Sequence, residues 1–402
     1  MLSEVPEGWV AKNLDETCIM YAGGTPNRKK PEYYAPAEIA WIKSGELSQG
    51  VITAADEYIS QKGLNESSAK LIPKGTPVIA MYGATAGKVG WLGVEACSNQ
   101  AVLACIPKNK SYGWFLFYAL TYASRALISR QQGGAQPNLS KSLIKGYVLP
   151  LPPLTEQKRI AGVLRSVDES IQATQRLIEQ AERVKQGLME ELLTGGLGSE
   201  AIERGEVPEG WLATRLDEAC TMYAGGTPNR KKPDYYAPAE IAWIKSGELA
   251  QGVITEVDEY ISQKGLKESS AKLIPKDTPV VAMYGATAGK VGWLGVEACS
   301  NQAVLACIPK NKSYGWFLFY ALTYASRALI SRQQGGAQPN LSKSLIKSYV
   351  LPLPPLTEQK RIAEVLSSVD DRVKRHKDEL EELRRLKKGL MDDLLTGKVR
   401  TV

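Results

Sequence analysis

The sequence predicts an α+β protein in which two globular modules are separated by two long antiparallel helices that form a coiled coil. Two observations support this prediction. The chain of 402 residues repeats itself, since the segment from Val5 to Gly195 returns as Val207 to Gly397 without a gap. Each copy combines short strand-like segments with one apolar helix, and ends in a much longer amphipathic segment. We therefore expect the two copies to be related by a pseudo-twofold axis.

The repeat divides the chain into five predicted segments. In chain order they are the first module (1–153), the first spacer helix (154–196), a linker (197–206), the second module (207–355) and the second spacer helix (356–402). Over residues 5–154 the two copies differ at 13 of 150 positions, whereas over residues 155–194 they differ at 19 of 40. The modules are therefore near copies of each other, while the helices have diverged.

The segment from Leu154 to Thr194 is predicted to be one long helix, because its apolar residues recur every three or four positions. Thr155 is a suitable N-cap and Gly195 a suitable end. About forty residues at ~1.5 Å each make a rod of roughly 60 Å. A small local core cannot cover one face of such a rod, so we expect it to pack against the equivalent segment, Leu356 to Thr396. The residues predicted to form the core of this pair are Ile160, Val163, Val167, Ile171, Ile178, Leu188, Ile362, Val365, Val369, Val373, Leu380 and Leu390.

Within each module the pattern indicates strands separated by turns, with one helix. In the first copy, residues 38–43, 76–82 and 101–106 are typical of strands, and residues 112–128 are typical of a helix with an apolar face. Polar loops that contain glycine lie between these elements, at residues 22–30, 83–88 and 131–138. Loops on a rigid scaffold usually carry the binding residues.

Composition excludes several functional classes. Hydrophobic residues make up 44% and charged residues 23%, and no apolar run reaches the ~18 residues of a membrane span. The first residues do not form a signal peptide, so a cytoplasmic protein without membrane contact is expected. The six cysteines lack CxxC spacing and His376 is the one histidine, so we expect buried free thiols rather than a metal site or disulfides.

The positive charge is concentrated on the modules. Residues 1–154 carry 15 Lys or Arg against 11 Asp or Glu, and residues 207–356 carry 16 against 12, so each module has a net charge of +4. The long helices are close to neutral. This distribution favours an anionic partner bound by the modules and a protein partner packed on the helices. A charge of this size is also compatible with an ordinary solvated surface.

No catalytic constellation is recognisable. The run from Gly83 to Lys88 resembles a phosphate-binding loop, but it has three rather than four residues between its glycines, and Val89 follows the lysine. His376 is replaced by Thr174 in the other copy, so the usual nucleophile and base pairs have no base. Paired carboxylates stay open as a possibility, although none lies in a distinctive motif. The pattern favours a binding protein over an enzyme.

Five runs of residues are distinctive: WIKSGEL from Trp41, YGATAGKVG from Tyr82, SNQAVLACIP from Ser98, the run from Gly133 to Ala161, and GLMEELLTG from Gly187. All recur in register in the second half, the last two with one and two substitutions. These runs resemble the specificity (S) subunit of type I restriction-modification systems, HsdS. The resemblance implies that the modules are target recognition domains, each reading one part of a bipartite site in double-stranded DNA. It also implies that the helices hold the modules apart and dock methyltransferase (M) and restriction (R) subunits. S-adenosylmethionine, ATP and Mg²⁺ would then be bound by those partners, and no cofactor or metal by this chain.

The side chains predicted to contact DNA are polar or basic residues in or beside the three loops. In the first module they are Thr25, Asn27, Arg28, Lys29, Lys30, Lys43, Tyr82, Thr85, Lys88, Gln131, Gln132, Gln136 and Asn138. In the second module they are Thr227, Asn229, Arg230, Lys231, Lys232, Lys245, Tyr284, Thr287, Lys290, Gln333, Gln334, Gln338 and Asn340. Because none of the 13 differences falls in these loops, we expect two identical half-sites arranged as an interrupted palindrome.

Two alternatives remain open from the sequence. The chain could be a specificity module that serves a different DNA enzyme, or a coiled-coil scaffold for proteins with no DNA role. Salt-dependent binding to duplex DNA separates the scaffold from the other two. Association with a methyltransferase subunit separates the first two from each other.

Overall fold

A computed structural model describes residues 5–108, 112–129, 138–310, 315–331 and 340–401. The chain forms two compact units that do not follow chain order. Unit 1 comprises residues 1–175 and 378–402, and unit 2 comprises residues 176–377. Each unit therefore contains one module, the first half of the long helix that follows it, and the second half of the other long helix.

The elements of the first copy alternate short strands with short helices. The strands are β1 (Val10–Asn13), β2 (Cys18–Ala22), β3 (Ile39–Ile42), β4 (Val51–Ile52), β5 (Tyr58–Ile59), β6 (Pro77–Ala80), β7 (Val89–Leu92), β8 (Ala96–Ser98), β9 (Val102–Pro107) and β10 (Val148–Leu151). The helices are α1 (Leu14–Thr17), α2 (Gln61–Asn65), α3 (Gly113–Ser129), α4 (Lys141–Lys145) and the long α5 (Leu154–Thr194), with α6 (Ser199–Glu203) in the linker.

The second copy repeats these elements in the same order. The strands are β11 (Leu212–Arg215), β12 (Cys220–Ala224), β13 (Ile241–Ile244), β14 (Val253–Ile254), β15 (Tyr260–Ile261), β16 (Thr278–Ala282), β17 (Val291–Leu294), β18 (Ala298–Ser300), β19 (Val304–Pro309) and β20 (Val350–Leu353). The helices are α7 (Leu216–Ala219), α8 (Gln263–Lys267), α9 (Gly315–Ser331), α10 (Lys343–Lys347) and the long α11 (Leu356–Thr396). The predicted strands, the apolar helix and both long helices are confirmed.

A five-stranded sheet supports each module, in the order β2-β9-β6-β7-β4 or β12-β19-β16-β17-β14. Strand β9 is antiparallel to both β2 and β6. A smaller sheet, β5-β3-β8, lies beside it, with β3 and β8 parallel. Strand β1 pairs with β10, so the chain enters and leaves the first module at the same place. The predicted α+β class is confirmed.

The main core of each module lies between the five-stranded sheet and its apolar helix. In the first module Phe115 and Tyr118 on α3 are buried with Leu103 of β9. The rings of Trp91 and Trp114 stack with centroids 3.9 Å apart, which fixes α3 on β7. Each fully buried large side chain contributes about 1.5–3 kcal/mol. The same core continues onto α5 through Ile160, so the long helix begins as part of its own module.

Within each unit the two long-helix segments run antiparallel. In unit 2, Lys185 Nζ of α5 lies 2.5 Å from Asp370 Oδ1 of α11, while Glu182 pairs with Lys377 at 2.7 Å. Residue numbers thus rise along one segment as they fall along the other. In unit 1 the corresponding ion pair joins Asp168 to Lys387.

Burial along the helices departs in part from the predicted core. Ile160, Ile178, Ile362, Val373 and Leu380 are buried. Val167, Ile171, Leu188, Val369 and Leu390 are half-buried. Val163 and Val365, however, are 39% and 37% exposed, and their neighbours Leu164 and Leu366 are fully buried instead. The buried face is shifted there because the first turns of each long helix pack against their own module.

Two further sequence expectations concern thiols and membranes. All six cysteines are free and buried, as predicted. Burial raises the pKa of the Cys97 thiol to about 11, so this group stays protonated and unreactive. In the part of the chain that is described, no helix is both long and apolar enough to cross a membrane.

Candidate nucleic-acid interface

Two of the predicted DNA-contacting loops, residues 22–30 and 83–88, begin at the same end of the five-stranded sheet, where Asn138 also lies. Because β9 is antiparallel to β2 and β6, the last residues of β2 and β6 lie beside the first residues of β9. The main-chain N–H of Met81 donates to the carbonyl oxygen of Ala101 at 2.7 Å, and the carbonyl oxygen of Met81 accepts from the N–H of Leu139 at 2.7 Å. Tyr82 is bridged to Asn138. These bonds bring the loops after β2 and β6 and the segment at Asn138 to the same edge.

Two glycines allow the basic loop after β2 to approach the sheet. A Cβ atom at Gly23 would lie 2.0 Å from the carbonyl oxygen of Ser98, and one at Gly24 would lie 2.5 Å from the carbonyl carbon of Ser68. A side chain at either position would therefore force the backbone of the loop to move. The indole Nε1 of Trp41 donates to the carbonyl oxygen of Gly24 at 3.0 Å, which holds the loop in place.

Arg28 is held by its own module. Its guanidinium lies 2.6 Å from Glu57 Oε2, and 4.8 and 4.9 Å from the ring centroids of Tyr34 and Trp41. Lys43 shares the same carboxylate, with Nζ 2.8 Å from Glu57 Oε1. The hydrogen bonds from Arg28 and Lys43 hold the pKa of Glu57 below its ordinary value. The two cations therefore share one carboxylate.

The other lysines of the two loops differ in whether their ammonium groups have a hydrogen-bond partner. Lys30 Nζ donates to the hydroxyl of Tyr33 at 2.8 Å, and that hydroxyl donates to Glu66 at 3.0 Å. Lys29 and Lys88 are exposed, and their ammonium groups have no partner among the described residues. These two lysines are therefore the unpaired positive charges that the two loops offer to a phosphate.

Polar side chains lie between these charges. The hydroxyl of Thr25 donates to Gln100 Oε1 at 2.6 Å, and Gln100 is exposed. Asn27 accepts from the main chain of Lys29 at 3.0 Å, which shapes the loop. Tyr82 is 42% exposed at the start of the second loop. Gln100 was not among the predicted contacts, and its position in the run SNQAVLACIP was the one sequence signal that marked it.

Some predicted contacts lie outside the described residues. They are Gln131, Gln132, Gln136, Gln333, Gln334 and Gln338. Their neighbours Asn138 and Asn340 are described, and each is bridged to the tyrosine that opens the second loop.

The second module repeats this geometry. Thr227 is 2.6 Å from Gln302, and Arg230 is 2.6 Å from Glu259, as in the first module. Lys245 and Lys232 are paired with Glu259 and Tyr235. The counterparts of the two free lysines, Lys231 and Lys290, are again exposed and unpaired within the described ranges. Over the residues that the structure describes, the two surfaces present the same side chains in the same arrangement.

A family model of the type I restriction modification DNA specificity domain matches residues 6–183 and again residues 208–385. This chain belongs to that family. Each match takes in one module and most of the helix after it, so the specificity domain occurs twice. The resemblance found in the sequence is confirmed, and the family name supports a role in DNA recognition for the chain.

Several known relatives match over nearly the whole length of the chain. The chain is 27% identical to the type I restriction enzyme MjaVIII specificity subunit of Methanocaldococcus jannaschii, over 98% of this chain and 94% of that protein. It is similar in fold to the crystallised S subunit from M. genitalium, with a TM-score of 0.63, 15% identity and 98% of each chain covered. A chain from structural work on complex assembly and conformational transition of the type I R-M system matches with a TM-score of 0.62 and 20% identity, covering 99% of this chain and 100% of that one.

Proposed function

We propose that this chain is the DNA-recognition subunit of a type I restriction-modification enzyme. It reads a bipartite site with its two modules and docks methyltransferase and restriction subunits on its long helices. The observation that carries the proposal is the pair of identical loop clusters, each with unpaired lysines beside exposed amide and hydroxyl groups. Together with membership of the specificity-domain family, this chemistry fits a DNA duplex, whose phosphates attract lysine and whose base edges accept and donate hydrogen bonds.

The two kinds of side chain have different tasks in this proposal. Lys29 and Lys88, with Lys231 and Lys290, contact phosphates and set the register of each module. Thr25, Gln100, Tyr82 and Asn138, with their counterparts, face the base edges, because amides and hydroxyls are the groups that distinguish base pairs. Arg28 is paired with Glu57, although 53% of its side chain is exposed.

The bases read by the two modules should be the same, because the two surfaces are the same. If the modules are related by the pseudo-twofold axis expected from the repeat, they approach the duplex in opposite directions, as the subunits of a symmetric dimer do on an operator. The target is therefore an interrupted palindrome with a nonspecific gap. Single-molecule sequencing of DNA methylated by the complex of this chain with its methyltransferase subunits tests this. Two halves that are not reverse complements would refute it, and a direct repeat would show that the modules point the same way.

The chain itself carries no catalytic step in this proposal. S-adenosylmethionine, ATP and Mg²⁺ are bound by the partner subunits, and the enzyme works in the cytoplasm. Co-purification of the chain with a methyltransferase subunit supports this assignment. Duplex binding without such association would favour a specificity module of another DNA enzyme. A chain that binds no duplex at low salt, alone or with its partners, would be a scaffold.

A further inference from the structure

The end of the chain closes a groove in unit 1. The guanidinium of Arg400 donates to both oxygens of Glu156 on α5, with Nε 2.7 Å from Oε1 and Nη2 2.9 Å from Oε2. The same carboxylate accepts from Nε1 of Trp9 at 3.1 Å and from the main chain of Thr401 at 3.3 Å. As a result Glu156 is only 3% exposed. A bidentate arginine and carboxylate pair of this kind is both strong and geometrically specific.

The main chain of this terminal segment is held as well. Nη1 of Arg159 donates to the carbonyl oxygen of Thr401 at 2.8 Å. Nη1 of Arg400 donates to the carbonyl oxygen of Glu7 at 2.8 Å, and the Arg400 guanidinium lies 5.7 Å from the Trp9 ring centroid. Glu156 thus binds the arginine side chain, while Arg159 binds the carbonyl oxygen of the residue after it.

Unit 2 contains the same recognition groups without the same occupant. The repeat places Glu358, Trp211 and Arg361 where unit 1 has Glu156, Trp9 and Arg159. The chain after α5, however, has Gly198 at the position equivalent to Arg400. It continues into α6, where Ile202 is buried beside Tyr324 and Leu351. The linker therefore covers a different face of its module.

The consequence is an open groove in unit 2. Glu358 is exposed, and within the described parts of the chain its carboxylate has no hydrogen bond or ion pair. Trp211 is half-buried, whereas Trp9 is buried. The groove has a volume of about 500 Å³. Its lining residues are Leu188, Leu192, Thr357, Glu358, Arg361, Ile362 and Val365.

We propose that this groove in unit 2 binds an extended, arginine-bearing segment of a protein partner, in the way that unit 1 holds its own Arg400 and Thr401. The leucines and Ile362 form an apolar floor, Glu358 takes the guanidinium, and Arg361 takes the next carbonyl oxygen. The terminal segment of this chain is already held in unit 1, and a second copy holds its own segment in the same way. The occupant is therefore another protein. This inference rests on the comparison of the two units and does not depend on DNA binding.

A labelled peptide tests the groove on the full-length chain. The peptide Gly-Lys-Val-Arg-Thr-Val, which is the sequence of residues 397–402, is titrated and followed by fluorescence anisotropy. We expect saturable binding of one peptide per chain. Glu358→Gln, or a peptide in which the arginine is replaced by glutamine, should weaken binding at least about tenfold, because a charge-assisted pair is removed. Glu364→Gln, an exposed carboxylate elsewhere on α11, is the matched control and should change nothing.

Three results would overturn the proposal. The first is the absence of saturable binding up to millimolar peptide. The second is binding that survives Glu358→Gln but disappears in Glu156→Gln, which would mean that the peptide displaces the terminal segment in unit 1. The third is concentration-dependent dimerisation of the chain that Arg400→Gln abolishes, which would assign the groove to a second copy. Duplex binding by Glu358→Gln is measured in parallel and should equal that of the unaltered chain, so the two proposals fail separately.

Discussion

Asp168 Oδ1 on α5 lies 2.6 Å from Lys387 Nζ on α11, and both side chains are 25% exposed. The other oxygen of Asp168 accepts from the hydroxyl of Tyr118 on α3 at 2.8 Å. A carboxylate on one long helix thus joins the module to the other long helix. Asp370 repeats the arrangement in unit 2, where it accepts from Tyr320 at 2.9 Å and pairs with Lys185. These partly buried bonds hold each module to the helix segments of its unit.

Removing Asp168 should destabilise unit 1. Asp168→Ala leaves Lys387 and Tyr118 without their shared acceptor, and hydrogen bonds to a charged group are worth about 1.5–3 kcal/mol. Urea unfolding of the full-length chain measures the decrease in stability. Glu381→Ala is the control, because Glu381 and Arg385 form an exposed pair within α11, worth about 0.3–0.5 kcal/mol. Equal effects of the two substitutions would show that the Asp168 bonds contribute no more than a surface pair.

Removing the unpaired lysines should weaken DNA binding at every sequence. Replacing Lys29, Lys88, Lys231 and Lys290 by alanine takes away positive charges that bind phosphates. The negative slope of log K against log salt should therefore become shallower, by about 0.9 for each phosphate that is no longer neutralised. A second variant, in which the six basic residues Arg28, Lys29, Lys30, Arg230, Lys231 and Lys232 are all changed to alanine, should also flatten the slope. Lys62 and Lys264, which pair with Glu32 and Asp234, are the controls. An unchanged slope would remove these loops from the DNA interface.

Gly24→Ala should impair DNA binding while leaving the module folded. The added Cβ has no room beside Ser68, so the basic loop must move, which disturbs the hydrogen bond between Thr25 and Gln100. Gly45→Ala is the control, since nothing lies within 4 Å of a Cβ built there. Gel-shift affinity and the circular dichroism spectrum are compared for both variants. Full affinity in Gly24→Ala, with an unaltered fold, would mean that the position of this loop is unimportant.

The stability of unit 1 should depend on pH through Glu156. The hydrogen bonds from Arg400 lower the pKa of this carboxyl, against the opposing effect of burial. A lowered folded-state pKa stabilises the protein fully above the ordinary glutamate value, and the stabilisation disappears as the pH falls through the lowered pKa. Glu156→Gln should therefore lower the melting temperature at neutral pH and reduce its dependence on pH in the acid range. Glu358→Gln is the matched control at the open groove, and an equal effect there would contradict this account.

The sequence by itself determined the elements and their order. The spacing of Ile160, Leu164 and their successors is local information, and a helix of this length follows from backbone hydrogen bonds and one apolar face. The same holds for the strands, whose apolar runs lie between glycine-containing turns. Because the sequence repeats, each of these elements is predicted twice, and two identical surfaces are expected from the sequence alone.

The tertiary structure alone decided which parts of the chain meet. The pairing of Glu156 with Arg400 joins positions 244 residues apart, and no periodicity specifies it. The pairing of Arg28 with Glu57, and the exposure of Lys29 and Lys88, depend on how the two sheets of a module pack. The open groove at Glu358 depends on the route that the linker takes after α5. Such pairings arise from the packing of distant segments, so identical residues in the two copies can end in different surroundings.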